Sequence, residues 1–363
     1  MMFIFEKRRL NGYFLIFTLA LSNGAWAGAG SKMNLTNSTI EAMFKQTKSV
    51  CFGRFIIQVP MSAKISWGET IVEYSISAFP GESAKIRELT QEKIEEIKAI
   101  KHNKEPLALI GVFDGPNKDS KVVVGYTDYT SNYSAQLHSF IKIDKNGFVQ
   151  KISNAPLSSS TTDFIFDKKA YTGALAKMQN IASVLRSRTD ANVPTDSGIC
   201  IEAGFIPEAE GKYHEMTSIG FSFPEYPDVR FSISTIRTDK ANPKDSLEYM
   251  MKEAAESAGV FGMLSLFNRI KVLRKGERKI GDWDGAEQLS WMPPDEKGMP
   301  WTHEFKFKSI GVAKDMFRPY INMELSTGVS KNSKGVNEPS LKDDEAIALW
   351  DKLTASIQTR PTK

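Results

Sequence analysis

Apolar residues recur at helical spacing in two corresponding pairs of segments. Residues 84–101 and 245–258 each carry an apolar stripe opposite a face of Lys and Glu, which is typical of a helix that packs one side on a core. A second pair of apolar stripes lies at the ends of the two halves. The first contains Ala174, Met178, Ile181 and Leu185, and the second contains Ala346, Trp350, Leu353 and Ile357. Each residue of the second stripe follows its counterpart in the first by the same number of positions. The pattern predicts four core-packing helices, two in each half.

Strand-like runs and hairpin signals also recur in both halves. Short apolar runs at 55–59 and 204–207 follow the chain's two cysteines, and the pattern Gly-x-aromatic-Asp-Gly stands at 111–115 and 281–285. Because an Asp-Gly step suits a tight turn, structural hairpin turns are predicted at Asp114, Gly115, Asp284 and Gly285. The recurrence of these signals in one order predicts a tandem duplication.

The mixture of strands, hairpins and a few helices favours an α+β fold over a doubly wound parallel sheet. Alternation over 139–153 predicts a further hairpin that turns between Asp144 and Gly147. We expect two tandem related domains, each an antiparallel sheet flanked by helices. Their predicted bounds are 28–190 and 191–363, because the polar stretch 186–198 has no apolar periodicity.

The N-terminal segment has the organisation of a secretory signal peptide. Residues 7–9 are basic, 13–21 are apolar, and small residues follow at the cleavage positions. The apolar run is shorter than the roughly 20 residues that cross a bilayer. The sequence therefore predicts a cleaved signal over 1–27, a mature start near Gly28 and a periplasmic protein, with an uncleaved anchor as the alternative.

The composition is that of an ordinary globular protein. The 363 residues are 41% hydrophobic and 25% charged, which suits about two domains of roughly 150 residues each. A formal net charge of +4 is too small to indicate nucleic-acid binding.

Export changes the expected chemistry of the two cysteines. In an oxidising compartment a lone pair of thiols is commonly joined, so Cys51 and Cys200 are candidates for a disulfide. The alternative is two separately buried thiols that act as small apolar side chains.

Metal-site signals are incomplete. His-Glu steps at 214–215 and 303–304 resemble the start of a zinc protease motif, but Ser218 and Phe307 stand where the second histidine ligand is required. With four scattered histidines and only two cysteines, neither a metal site nor a cofactor is predicted.

Nucleophile signals fail in a similar way. The Gly-x-Ser-x-Gly elbow of α/β-hydrolases does not occur in the sequence. Ser139 and Lys142 match Ser-x-x-Lys, but the alternating context predicts a strand, which turns the two side chains to opposite faces. The sequence therefore does not predict an enzyme.

Two apolar segments of the second half are candidates for partner binding. Residues 259–270 are rich in large apolar groups, and 290–301 form a loop with Pro, Trp and Met, residue types that suit protein interfaces. The alternative for 259–270 is burial in the core or a contact between the domains, and for 290–301 it is ordinary packing of the two tryptophans. The candidate partner-binding residues are Phe261, Met263, Leu264, Phe267, Trp291, Met299 and Trp301.

Several motifs together resemble a known family of bacterial immunity proteins. These are "VCFGRFIIQVP" at 50–60, "GICIEAGFIPE" at 198–208, "FPEYPDVRF" at 223–231 and Gly-x-x-x-Gly-x-Glu at 281–287. With the predicted signal peptide, they are similar to the two-domain periplasmic proteins of lipase-immunity family four, which neutralise phospholipase effectors of the type VI secretion system.

The resemblance implies a protein without activity of its own that binds a secreted phospholipase. It further implies that two α+β domains form a clamp, which holds the mobile lid region of the enzyme and blocks substrate access. Two other functions remain open on the sequence: a periplasmic protein that binds envelope lipids or small molecules, and a hydrolase with dispersed catalytic residues.

Overall fold

The computed structural model describes residues 38–130, 133–157, 167, 169–260, 264–294, 296–330 and 333–362. The predicted signal peptide, residues 1–27, lies outside them. Within these ranges no helix has the length and apolar character needed to cross a membrane.

Four of the six helices in the described chain are the predicted ones. The helices are α1 (Ser38–Met43), α2 (Lys85–Ala99), α3 (Thr172–Val184), α4 (Leu247–Val260), α5 (Leu264–Phe267) and α6 (Asp343–Ala355). The predictions for 84–101 and 245–258 are confirmed as α2 and α4, and the two closing stripes are confirmed as α3 and α6.

The strands follow the same plan in both halves. The first half holds β1 (Thr47–Phe52), β2 (Phe55–Pro60), β3 (Lys64–Val72), β4 (Tyr74–Phe79), β5 (Leu109–Asp114), β6 (Lys121–Tyr126), β7 (Ser134–Ile143), β8 (Asn146–Pro156) and β9 (Arg186–Ser187). The second half holds β10 (Gly198–Ile201), β11 (Gly204–Pro207), β12 (Glu215–Phe223), β13 (Tyr226–Ile236), β14 (Lys271–Ile280), β15 (Trp283–Met292), β16 (Thr302–Ser309), β17 (Tyr320–Ser326) and β18 (Gln358–Thr359).

Each half builds an antiparallel sheet of six strands in one common order. The orders are β3-β4-β8-β7-β6-β5 and β12-β13-β17-β16-β15-β14. Antiparallel pairing of β3 with β12 joins them into one 12-stranded sheet. The predicted α+β class with related tandem halves is confirmed. The expected antiparallel sheet is present in each half, but the two sheets are not separate, because β3 and β12, the first strands of the two six-stranded sheets, pair with each other.

The joined sheet has two faces with different coverings. On the inner face, Trp350 of α6 packs against the rings of Phe231 and Phe305, with centroids 6.0 and 6.2 Å away. Met178 of α3 shares a buried cluster with Leu137 on the same face of the first half. On the outer face, α2 packs on β5–β8, and α4 packs on β15 and β16.

The first hairpin of each half packs on the core of the other half. Hairpin β1–β2 contributes Phe52, Phe55 and Ile57 to the cluster that contains Trp350. Hairpin β10–β11 contributes Ile199 and other side chains to the cluster of the first half. The strand pairing agrees with this exchange. Strand β18 of the second half pairs with β2 of the first, and β9 of the first half pairs with β11 of the second. Both cores therefore cross the predicted boundary at residues 190 and 191.

The two exchanged hairpins meet each other at the disulfide. Cys51 and Cys200 are bonded through their sulfur atoms and are fully buried. Beside them, the backbone N–H of Gly53 donates to the carbonyl of Cys200 at 2.8 Å, and the N–H of Cys200 donates back at 2.7 Å. The disulfide therefore joins the two hairpins where their backbones already touch.

A buried arginine from the first hairpin holds two carboxylates of the second half. Arg54 donates through Nε and Nη2 to Glu215 at 2.9 and 2.7 Å, and it also forms an ion pair with Glu208. Burial disfavours the charged form of Glu208, but the backbone N–H of Glu210 and the Arg54 guanidinium hold its pKa below the usual range. Removing Arg54 would leave two buried carboxylates without their counter-ion.

Two further arginines occupy corresponding places after the closing helices. Arg188 donates through Nη2 to the carbonyls of Cys51 and Ile201, each at 3.1 Å. Arg360 donates through Nη2 to the carbonyl of Gly198 at 2.8 Å. Burial lowers the pKa of Arg188 to about 10 and lowers that of Arg360. Each guanidinium thus fastens a closing segment to the exchanged hairpins.

The Asp-Gly steps do not form the expected tight turns. Asp284 and Gly285 lie within β15, where they pair with Lys279 and Arg278; the turn falls earlier, at residues 281–282. A side chain at Gly285 would approach the carbonyl oxygen of Lys308 to 2.3 Å, so this glycine allows close strand packing. The prediction for this step is wrong.

Of the other two predicted turns, one forms as a longer connection and one forms as expected. Asp114 ends β5, and the chain returns to β6 through residues 115–120 rather than through a tight turn at Asp114 and Gly115. The hairpin expected over 139–153 is confirmed as β7–β8, with Asp144 at a positive φ of 51° in the turn.

We predict that Arg54→Ala lowers the free energy of unfolding by roughly 3–5 kcal/mol, because it leaves buried carboxylates unpaired. The control is Arg186→Ala, since Arg186 forms an exposed ion pair with Asp196 and should cost no more than about 1 kcal/mol. Urea unfolding of both variants measures the difference. Equal effects would contradict the assigned role of Arg54.

We predict that replacing both cysteines with alanine lowers the free energy of unfolding by about 5 kcal/mol. The bond closes a loop between residues 149 positions apart, and the loss of such a cross-link increases the entropy of the unfolded chain. Urea unfolding of the oxidised protein and the double variant gives this value. An unchanged midpoint would contradict the prediction.

We predict a loss of stability in mild acid that depends on His138. Burial lowers the pKa of His138 to about 4, and the Lys93 charge acts in the same direction. As the pH falls below the ordinary value of 6.5, the unfolded chain binds a proton that the folded chain excludes. Between pH 7 and pH 4 the native chain should lose roughly 2–3 kcal/mol more than His138→Gln. The free energies of unfolding of both proteins are measured with urea at pH 7 and pH 4. An equal decrease in the two proteins would contradict the assigned role of His138.

Candidate partner-binding surface

The outer face of the central strands is lined by small polar side chains. Along β12 buried and partly exposed residues alternate, so from Ser218 to Phe223 the apolar side chains point to the inner face and the small ones point outward. The same alternation continues on β3 and β13. We call this surface the serine floor, and its members are Ser66, Ser218, Gly220, Ser222, Ser232 and Ser234.

The serine floor is flat and polar because its side chains are short. The hydroxyls of Ser218 and Ser234 lie 2.8 Å apart across β12 and β13. On β17 the floor ends at Glu324, whose carboxylate lies 3.5 Å from the ammonium group of Lys306. Although burial acts to raise it, the Lys306 and Lys334 charges hold the pKa of Glu324 below its usual range. The serine floor therefore presents hydroxyl groups, and the charged side chains of Glu324 and Lys306 lie at its edge.

Helix α2 forms a wall at one end of the serine floor. Gly125 and Gly147 let the helix approach the sheet, since a side chain at these positions would meet Ile97 at 2.4 Å and Ile86 at 2.6 Å. Its opposite side is exposed and carries Glu88, Glu92 and Glu95.

Helices α4 and α5 form the other wall. Leu247, Met251 and Phe267 are buried in one cluster with Ala286 of β15. Lys308 of β16 donates to the Tyr320 hydroxyl at 3.0 Å and contacts the Met250 sulfur of α4. Burial lowers the pKa of Lys308 and raises the pKa of Tyr320 to about 12. The two walls and the floor between them form an open trough.

The sequence-predicted contact residues do not form one patch. Phe261, Met263 and the side chain of Leu264 lie outside the described residues. Phe267 is buried beneath α4, where it packs in the interior and is not available on the surface.

The predicted tryptophans lie at the far end of β15 and β16. The rings of Trp291 and Trp301 stack at 6.3 Å, and Trp291 shares the inner side of β15 with Leu289 of the core. Arg269 and Lys271 lie over the Trp301 ring at 5.6 and 5.2 Å. Met299 is 37% exposed in the adjoining loop. This cluster is therefore separate from the serine floor.

One arrangement resembles a catalytic triad but is enclosed. The two ring nitrogens of His303 lie 3.0 Å from the Thr327 hydroxyl and 3.0 Å from the Asp343 carboxylate. His303 and Thr327 are both fully buried, so no substrate reaches the hydroxyl, and the contacts fasten the start of α6 to the sheet. Among the described residues, no group of three or more His, Cys, Asp or Glu side chains is placed to hold a metal ion.

Sequence reasoning missed the serine floor. Its signal was present in residues 215–236, where serine, glycine or arginine alternates with isoleucine, phenylalanine or valine. Period-two alternation marks a strand with one polar face, but it does not show whether a helix covers that face.

Comparisons with known proteins cover nearly the whole described chain. The model of the Tle cognate immunity protein 4 N-terminal domain matches residues 48–188, and that of the C-terminal domain matches residues 192–362. No curated protein sequence matches the chain.

Solved structures share the fold at 22% sequence identity. The structure of a Tle4–Tli4 complex matches with a TM-score of 0.70 over 87% of this chain and 98% of that chain. The apo immunity protein TplEi of the type VI secretion system from Pseudomonas aeruginosa matches with a TM-score of 0.67 over the same shares. TplEi in complex with an "L" peptide matches at 0.64 over 88% of this chain and 99% of that chain.

Proposed function

Because the chain belongs to the Tle cognate immunity protein 4 family, we propose that it binds and inhibits a secreted phospholipase effector of the type VI secretion system. In this role it protects the cell from its own toxin. It performs no chemistry on a substrate and acts by occupying the enzyme. One related structure is described as a Tle4–Tli4 complex, which supports a protein partner of this kind.

The observation that carries the proposal is the trough between α2 and α4–α5. Its floor lies on the paired strands β3, β12 and β13, so we expect it to change shape little and to lose little conformational entropy on binding. Its walls stand on opposite ends of the same face and can contact two sides of an inserted element. We propose that this trough is the clamp and that it holds the lid region of the lipase, which blocks substrate access.

The proposed location is the periplasm. The predicted signal peptide exports the chain, and a disulfide between buried cysteines is stable in that oxidising compartment. A phospholipase delivered there meets its substrates in the membrane, so its inhibitor has to be present in the same space.

We retain two of the sequence-based expectations as part of the proposal. The sequence repeats are taken as 28–190 and 191–363, although their hairpins are exchanged. Met299 and Trp301, exposed and partly exposed at the far end of β15 and β16, are proposed as a second contact separate from the trough, while Phe267 supports the α4–α5 wall from beneath.

We predict that Ser232→Arg weakens binding to the lipase encoded beside this protein by at least tenfold, equal to about 1.4 kcal/mol. Ser232 is exposed on the serine floor, so a long charged side chain there holds the partner away without disturbing the core. The measurement is calorimetric titration of the mature protein with the lipase, with lipase activity followed in parallel.

The matched control is Ser183→Arg, which places the same side chain on exposed α3 at the inner face. It should bind and inhibit like the native protein. Equal binding by both variants would place the interface elsewhere. Absence of binding by the native protein would refute the proposed function.

A further inference from the structure

The sheet forks between β3 and β4. These strands pair at only two positions, Ile71 with Ser75 and Val72 with Tyr74. The corresponding strands of the second half, β12 and β13, pair along their whole length, from Met216 with Ile236 to Phe223 with Tyr226. The two halves can therefore be compared directly. The first two strands of the sheet are fully paired in the second half, whereas in the first half they separate after two pairs.

The opening leaves two strand edges facing each other. Residues 64–70 of β3 pair only with β12, and residues 76–79 of β4 pair only with β8. We call the space between these two segments the fork. Backbone N–H and C=O groups that point into it have no strand partner, and such an edge is a template for another extended chain.

Packing on different cores keeps the fork open. Ile65 and Trp67 of β3 pack against the cluster of the second half, whereas Ile76 of β4 belongs to that of the first half. The chain changes from one core to the other between Trp67 and Val72, because Val72 already belongs to the cluster of the first half. Glu73, with a positive φ of 58°, then forms the turn into β4. Closing the fork would pull apolar side chains out of one core, so the open form is the stable one.

The fork contains a cleft whose chemistry suits a polar, extended ligand. Its volume is about 360 Å³, and its lining includes Glu69 and Ser77 from the two strands, together with Lys151 and Glu202. The indole N–H of Trp67, also in the lining, is buried and has no hydrogen-bond partner in the described structure. A ligand carbonyl can accept from it.

The charge in the cleft favours a basic side chain. Two carboxylates, Glu69 and Glu202, face the single ammonium group of Lys151 in the lining. Asp190 adds to the negative potential at Glu202. A cation entering beside Glu202 would therefore gain attraction in a partly desolvated place.

We propose that the fork accepts one extended segment of the lipase partner as an added strand, with an Arg or Lys side chain beside Glu69 and Glu202. The inference rests on the proposed function and deepens it, since it names a second contact made by main-chain hydrogen bonds. Four residues of such a strand span about 13 Å, which matches the four residues 76–79 of β4. A helix could not satisfy both edges.

The test is amide hydrogen exchange of the mature protein, alone and saturated with the lipase encoded beside it. We expect exchange of amides within 65–70 and 76–79 to slow at least tenfold in the complex. Amides in the pairs between β12 and β13 should change little, because they are already bonded. Unchanged exchange in the fork within a fully formed complex would overturn the proposal. Strong protection in the protein alone would also overturn it, because the fork would then be filled by the protein itself.

Charge reversal identifies the side-chain contact. Glu69→Lys combined with Glu202→Lys should weaken lipase binding at least tenfold and abolish the protection of the fork. The matched control, Asp282→Lys with Glu338→Lys, changes the net charge by the same amount at exposed loop residues outside the trough and the fork. An equal loss in both double variants would indicate general electrostatic attraction and overturn the specific contact.

A set of overlapping 12-residue peptides from the lipase separates the two proposals. We expect one peptide that contains Arg or Lys to protect the fork, and its Arg→Ala or Lys→Ala variant to lose this effect. Binding of the lipase without protection by any peptide or by the complex would leave the immunity function intact and refute the added strand. If the lipase does not bind and no peptide protects the fork, both proposals fail.

Discussion

The structure depends on the exchange of the first hairpins between its halves. Each hairpin completes the core of the opposite half, so neither half has a full core from its own sequence repeat. The disulfide, the two-way backbone contact of Gly53 with Cys200, and the buried Arg54 all lie where the exchanged hairpins meet. Since apolar burial is the largest favourable term in folding, separating the halves would expose both cores at once.

The shape of the proposed binding surface follows from the exchange of the hairpins. With the hairpins and the helices α3 and α6 on the inner face, the first strands are free to pair edge to edge, and the outer face runs unbroken across the junction. The helices α2 and α4 stand on the outer face at its two ends. A rigid floor between two walls can inhibit an enzyme through occupation alone, and it requires neither a nucleophile nor a metal.

The fork shows how the two repeats have come to differ. Both halves use the same strand order, yet β12 pairs fully with β13, whereas β3 leaves β4 after two pairs. The cause is that β3 packs with the core of the second half. The exchange of the hairpins therefore also produces the open interval between β3 and β4, which lies between the serine floor and the α2 wall.

The sequence by itself determined the local elements. Apolar periodicity located α2, α3, α4 and α6, and the recurrence of cysteines, strands and closing helices indicated two related halves, because these signals lie within single elements. The tertiary structure decided everything that depends on partners distant in sequence. It set the edge pairing of β3 with β12 and the exchange of the hairpins. It buried Phe267 and placed Trp291 away from the serine floor. Periodicity shows that a strand has a polar face, but only the assembled layers decide whether that face is covered or open to a partner.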